Sequence, residues 1–149
     1  DFVMPIFNED LEAEQGMPVA AQAFKELLIN HDGFLISSPE YNSSYSGLFK
    51  NAIDWASRKT GDEAPMAAYR GKVAAIMAAS PGGLGGMRVL VVLRMLMENL
   101  GTMVLPNQKA VSGAFSMFDG DGNISDEKTE KALKALGKEL VDTLTKLKG

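Results

Sequence analysis

Apolar positions along the chain fall into short unbroken runs, separated by stretches in which they recur every three or four residues. Gly33-Phe34-Leu35-Ile36-Ser37-Ser38 is the first run and stops at Pro39; Lys72-Val73-Ala74-Ala75-Ile76-Met77-Ala78-Ala79 is the second; Thr102-Met103-Val104-Leu105-Pro106 is the third. Runs of this length with no apolar-polar alternation predict strands buried on both faces, as in parallel sheets. The stretches around them read as helices. Pro18 opens one in which Val19, Phe24, Leu27 and Leu28 share a face, and Asn30-His31-Asp32-Gly33 stops it. Leu48, Ala52, Ile53 and Ala56 form the apolar side of a second, with Ser46 as its N-cap. Met87 to Leu100 is apolar on nearly every side and closes at Gly101. Ser125 caps a last helix that carries Leu133, Leu136, Leu140, Leu144 and Leu147 at helical spacing. Residues 1–16, with Pro5, Asn8, Gly16 and several acids, keep no period and read as an extended lead-in. Alternating strands and helices predict an α/β fold built on a parallel sheet.

Composition narrows what such a fold does. The 149 residues suit one domain over 1–149, and 46% hydrophobic with 23% charged residues is a globular balance that excludes a disordered tail. A net charge of −4 argues against nucleic-acid binding, which needs a basic footprint. The chain has no cysteine, so disulfides, thiolate zinc sites and cysteine nucleophiles are excluded, and its one histidine, His31, excludes a histidine-rich metal site. His31 lies beside a helix stop signal and reads as a C-terminal helix residue rather than a base. The most apolar stretch, Val89 to Met97, is interrupted by Arg94 and is far short of the ~20 residues of a membrane span. With no basic region before an apolar one at the N-terminus, the expected location is cytoplasmic.

The candidate chemistry lies in loops. Ligands of an open parallel sheet bind beyond the carboxyl ends of its strands. Pro39-Glu40-Tyr41-Asn42 leaves the first strand there, and Ser80-Pro81-Gly82-Gly83-Leu84-Gly85-Gly86 leaves the second. If those strands are neighbours, the two loops share one rim. The glycines let a flat or anionic group approach the backbone, and N–H groups ahead of a helix favour negative charge; a flexible strand-to-helix turn explains the glycines equally well. The loop fits neither GxxxxGK[ST] nor GxGxxG, which sets aside nucleoside triphosphates and Rossmann dinucleotide binding. Asp119, Asp121 and Asn123 imitate the start of a calcium loop, but Ile124 replaces its glycine and Asp126 its apolar position, so an acidic turn before a helix is the better reading. The nine methionines read mostly as core or interface filler. Several lie on the 87–100 helix, which needs cover on a second side, predicted to come from a second subunit.

These loops resemble the NADPH-dependent FMN reductase family. Pro39-Glu40-Tyr41-Asn42 followed by Leu48-Phe49-Lys50-Asn51-Ala52-Ile53-Asp54-Trp55 is similar to its PEYN…LKNAIDW signature, and Ser80-x-Gly82-x-x-Gly85-Gly86 to its SxGxxGG loop. The likeness runs through the Phe118-Asp119…Gly122-Asn123…Asp126-Glu127 turn. It implies a flavodoxin-like three-layer sheet with helices on both faces and an FMN-dependent oxidoreductase. Hydride would pass from NADPH or NADH to the flavin N5 and on to a flavin, a quinone or a similar small acceptor. No side-chain acid or base is required. A flavodoxin-like FMN electron carrier without nicotinamide turnover is the alternative.

By the same resemblance, Pro39, Glu40, Tyr41 and Asn42 lie against the isoalloxazine ring. Ser80, Gly82, Gly83, Gly85 and Gly86 hold its pyrimidine end. Lys50, Asn51, Asp54 and Trp55 fix their helix, and homodimers or homotetramers form through the apolar helix 87–100. The family's opening strand and its phosphate-cradling GSxRxxSxN loop do not occur in this sequence. The expectation is a chain that lacks the first strand-helix-strand unit, leaving the 34–38 strand as a bare apolar edge.

Overall fold

The computed structural model describes residues 2–149. Its sheet has three parallel strands in the order β1 (Gly33–Pro39), β2 (Val73–Ala79) and β3 (Met103–Val111). The helices are α1 (Glu9–Gln15), α2 (Val19–Ile29), α3 (Gly47–Ser57), α4 (Met87–Asn99), α5 (Ala114–Met117) and α6 (Glu127–Lys148).

Alternate residues of the strands feed two separate cores. Phe34, Ile36, Ala74, Ile76, Ala78 and Val104 face a layer made by α2, α3 and α4, whose contributions include Phe24, Ile53, Val89, Leu90, Leu93 and Met97. Val73, Ala75 and Leu105 face Leu136 and Leu140 of α6 on the other side. β2 lies in the middle and is buried on both faces, the arrangement its unalternated apolar run requires. Each large aliphatic side chain so buried contributes roughly 1.5–3 kcal/mol. The outer edge of β1 carries no strand partner among the described residues, and Leu35 there is 51% exposed. A largely apolar cavity of about 410 Å³ runs along that edge between β1 and α2.

Four elements differ from the sequence expectations. The 1–16 segment is not wholly extended, because Asn8 caps α1 by accepting from the N–H groups of Asp10 and Leu11. The lead-in is also tied down. The Trp55 indole and the Asn51 amide both donate to the Pro5 carbonyl, Phe7 N–H donates to Asn51 Oδ1, and Arg58 pairs with Glu12. Asn51 and Trp55 thus hold the entering chain as well as stiffening their own helix; Lys50 and Asp54 form an i,i+4 pair on it.

β3 continues past Pro106 to Val111. Between Ala74↔Val104 and Ile76↔Gln108, β2 advances two residues while β3 advances four, so Pro106 sits in a bulge where its missing N–H costs no ladder bond. The Arg94 guanidinium stitches that bulge to α4 by donating to the carbonyls of Val104 and Leu105 and to Gln108 Oε1. The cap of α6 is Asp126, whose carboxylate accepts from Thr129 N–H at 2.7 Å, one residue beyond the expected Ser125. Finally, the short helix α5 follows β3, where no element was expected. No helix among the described residues is long and apolar enough to cross a membrane.

Candidate functional site

The register of the sheet decides where the loops go. Pro39 pairs with Ala79 at the carboxyl ends of β1 and β2, so the loops after them leave side by side. Ser46 caps α3 by accepting from Phe49 N–H, which fixes where the first loop ends. Within that loop Tyr41 and Ser44 exchange both backbone hydrogen bonds around Asn42 and Ser43, at φ 52° and 64°. Two consecutive left-handed residues make a tight turn of the kind that normally selects Asn or Gly. Tyr41 stands 61% exposed at its base.

The second loop is pinned from behind. Ser80 N–H donates to the Val111 carbonyl, Val111 N–H to the Gly85 carbonyl, and Ala114 N–H to the Ser80 carbonyl. The glycines divide into two pairs with different duties. Gly85 (φ 60°) and Gly86 (φ 89°) are buried and left-handed; a Cβ would lie 2.5 Å from Ser112 N at the first and 2.6 Å from the Ala78 Cβ at the second. They let the loop close against β2 and β3. Gly82 and Gly83 are exposed; a Cβ on Gly83 would meet nothing within 4 Å, and one on Gly82 only Ser80 Oγ at 3.8 Å. The N–H groups of Gly83 and Leu84 take no acceptor within the described residues.

Glu40 joins the two loops. Its carboxylate accepts from the N–H groups of Arg88 (3.0 Å) and Val89 (3.1 Å), the first turn of α4. The positive end of that helix is therefore already neutralised by a side chain. Of the residues read as ring contacts, Glu40 thus commits its side chain to holding the rim together, and the backbone of Gly85 and Gly86 packs against β2 and β3. Pro39, Tyr41, Asn42, Ser80, Gly82 and Gly83 line the rim with surfaces still available.

A third loop, whose Asp119–Asn123 part reads in the sequence only as an acidic turn before a helix, follows β3. Ser112 and Gly113 leave β3, α5 follows, and Phe118 pairs with Ile124 across the turn held by Asp119, whose carboxylate accepts from the N–H groups of Asp121 and Asn123. These bonds hold the Asp119 carboxyl below its ordinary value. The signal available was the Ser112-Gly113 pair after Lys109-Ala110-Val111, followed by two phenylalanines three residues apart. His31, expected as a C-terminal helix residue, lies just past the Asn30 cap of α2, its Nδ1 2.6 Å from the Leu27 carbonyl.

The family profile described as NADPH-dependent FMN reductase matches residues 1–116. The chain belongs to this family. It is 38% identical over 149 residues to an NAD(P)H:quinone oxidoreductase of Solanum tuberosum, covering 98% of this chain and 73% of that protein. It is 37% identical to an NAD(P)H-dependent FMN reductase of Pseudomonas aeruginosa, covering 88% and 68%. Among solved structures, the flavoenzyme NAD(P)H:(acceptor) oxidoreductase FerB of Paracoccus denitrificans superimposes with a TM-score of 0.80 at 33% identity, over 96% of this chain and 76% of that one. The FMN reductase fold is flavodoxin-like, and the three-layer sheet described above agrees with it. As an FMN reductase the protein is an oxidoreductase that uses FMN and NAD(P)H.

Proposed function

We propose that this FMN reductase seats the flavin ring at the carboxyl rim, between Pro39–Asn42 and Ser80–Gly83, and passes electrons from NAD(P)H to a quinone-type acceptor. The observation that carries the reading is the Pro39↔Ala79 register together with the open backbone at Gly82 and Gly83. The donor set fits the ring. Its pyrimidine edge is rich in acceptors, and the free N–H groups of Gly83 and Leu84 face that need where no Cβ blocks approach. Tyr41 adds a flat apolar surface beside it. FMN, when bound, supplies the hydride acceptor and the route onward to the second substrate. The chain supplies position: Glu40 locks the first loop to α4, and the bonds from Ser80 to Val111 and Ala114 lock the second to β3.

The quinone class of the acceptor is supported by the potato relative's activity. The proposal includes a second copy of this chain over α4, where Met87, Val91 and Met95 form an exposed apolar stripe, and a cytoplasmic location. The test is anaerobic addition of NADPH to FMN-loaded protein. Bleaching of the visible flavin band, reversed by a quinone, is the expected result. Bound FMN that NADPH leaves coloured would overturn the reductase reading in favour of an electron carrier.

A further inference from the structure

Of the seven phenylalanines, five pack ring on ring: Phe2 with Phe24, Phe7 with Trp55, Phe34 with Tyr69, and Phe49 with Tyr45. The other two, Phe115 and Phe118, lie on the third rim loop, and Phe115 is 90% exposed. Its backbone is fixed. Ala114 N–H donates to the Ser80 carbonyl at 3.2 Å, Ser116 N–H and its hydroxyl both donate to the Gly113 carbonyl, and Ser125 N–H donates to Met117 O. A phenyl ring is thus presented to solvent from a held position, one residue from the contact to the glycine loop. Each of the three rim loops exposes an apolar side chain: Tyr41 on the first, Leu84 on the second, and Phe118 and the far more exposed Phe115 on the third.

We infer that Phe115 is a specificity-determining residue, the wall on which a planar, uncharged acceptor of the quinone class stacks beside the Ser80–Gly83 loop. The inference rests on the rim being the site proposed above. A solvated phenyl ring gains by burial against a flat apolar ligand, and an aromatic pair adds a geometric preference that an aliphatic side chain lacks. A quinone offers such a face and has no charge to favour a cationic or anionic site. No side chain of the third loop other than Phe115 and Phe118 provides an aromatic surface.

Titration calorimetry of FMN-loaded protein with 1,4-naphthoquinone tests this on binding alone. Phe115→Ala should weaken the dissociation constant roughly tenfold, the size of one good aromatic contact. Phe115→Tyr should stay near wild type and Phe115→Leu fall between. In turnover, Phe115→Ala should raise the KM for the quinone more than it changes kcat. Equal affinity across the three variants would overturn the inference, as would wild-type protein that binds no naphthoquinone. A changed oligomeric mass or lowered melting temperature in Phe115→Ala, with affinity intact, would overturn it by assigning the ring to packing. If naphthoquinone binding depends on Phe115 but NADPH never bleaches the flavin, the stacking wall stands and the reductase reading fails.

Discussion

At the scale of single residues, the four glycines of the second loop show how one motif carries two kinds of constraint. Gly85 and Gly86 adopt left-handed backbone against immovable neighbours, whereas Gly82 and Gly83 have neither positive φ nor crowding. Gly85→Ala and Gly86→Ala should each cost about 2–4 kcal/mol of stability, combining strain with overpacking. Gly83→Ala should change stability by no more than about 0.5 kcal/mol. It should nevertheless weaken FMN binding, because its methyl group would enter the open cradle. Thermal melting and flavin titration of the same variants separate the two effects. In the sequence these glycines were indistinguishable, since spacing reports neither φ nor the distance to Ala78 or Ser112. Glu40 was legible as a rim residue for the same reason that its duty was not: its partners, Arg88 and Val89 N–H, lie 48 and 49 residues away along the chain.

At the scale of elements, the legible parts were those decided by local pattern. β1, β2, α2, α3 and α4 lie where their apolar runs and stop signals put them, because burial on two faces or one face leaves a period in the residues. β3 was cut short at Pro106, since nothing local shows that a bulge would absorb the proline. α1 was missed although Asn8 with Glu9, Asp10 and Glu12 behind it is a good start signal; its apolar stripe is too thin to announce itself. Glu40→Ala should free the first turn of α4 and cost about 1.5–3 kcal/mol, the range for hydrogen bonds to a charged acceptor. Slower amide exchange at Arg88 and Val89 in the wild type than in the variant would check it.

The cap of α6 gives a pH signature. Bonds from Thr129 hold the Asp126 carboxyl below its ordinary value of 3.8. A depressed folded pKa contributes stability that is complete above the unfolded value and is lost as pH falls through the folded one. Asn caps a helix about as well as Asp but does not titrate. Asp126→Asn should therefore lose less melting temperature than wild type on acidification below pH 3.8, while the two remain close near neutrality.

At the scale of the whole molecule, apolar side chains away from the rim are left in water at the β1 edge with its cavity and, second, on the α4 stripe of Met87, Val91 and Met95. The second is the surface on which the proposed self-association rests. Val91→Asp should leave the monomer folded, because Val91 is exposed, and should lower the mass seen by sedimentation. An unchanged mass would place any interface elsewhere. Family membership was readable from PEYN, KNAIDW and the glycine loop taken together, because the fold brings motifs 40 residues apart to one rim. The third loop's turn was part of that likeness, but its tie to the glycine loop was not legible, since it depends on a backbone bond to Ser80 that no motif encodes.

The central claim is that the rim, and not the apolar cavity along β1, seats the flavin. A crystal structure of the FMN-loaded protein tests it most directly. The account predicts the isoalloxazine ring between Pro39–Asn42 and Ser80–Gly83, with the N–H groups of Gly83 and Leu84 donating to its pyrimidine edge. A ring lodged between α2 and β1, against Phe24, Leu28 and Ile36, would contradict it.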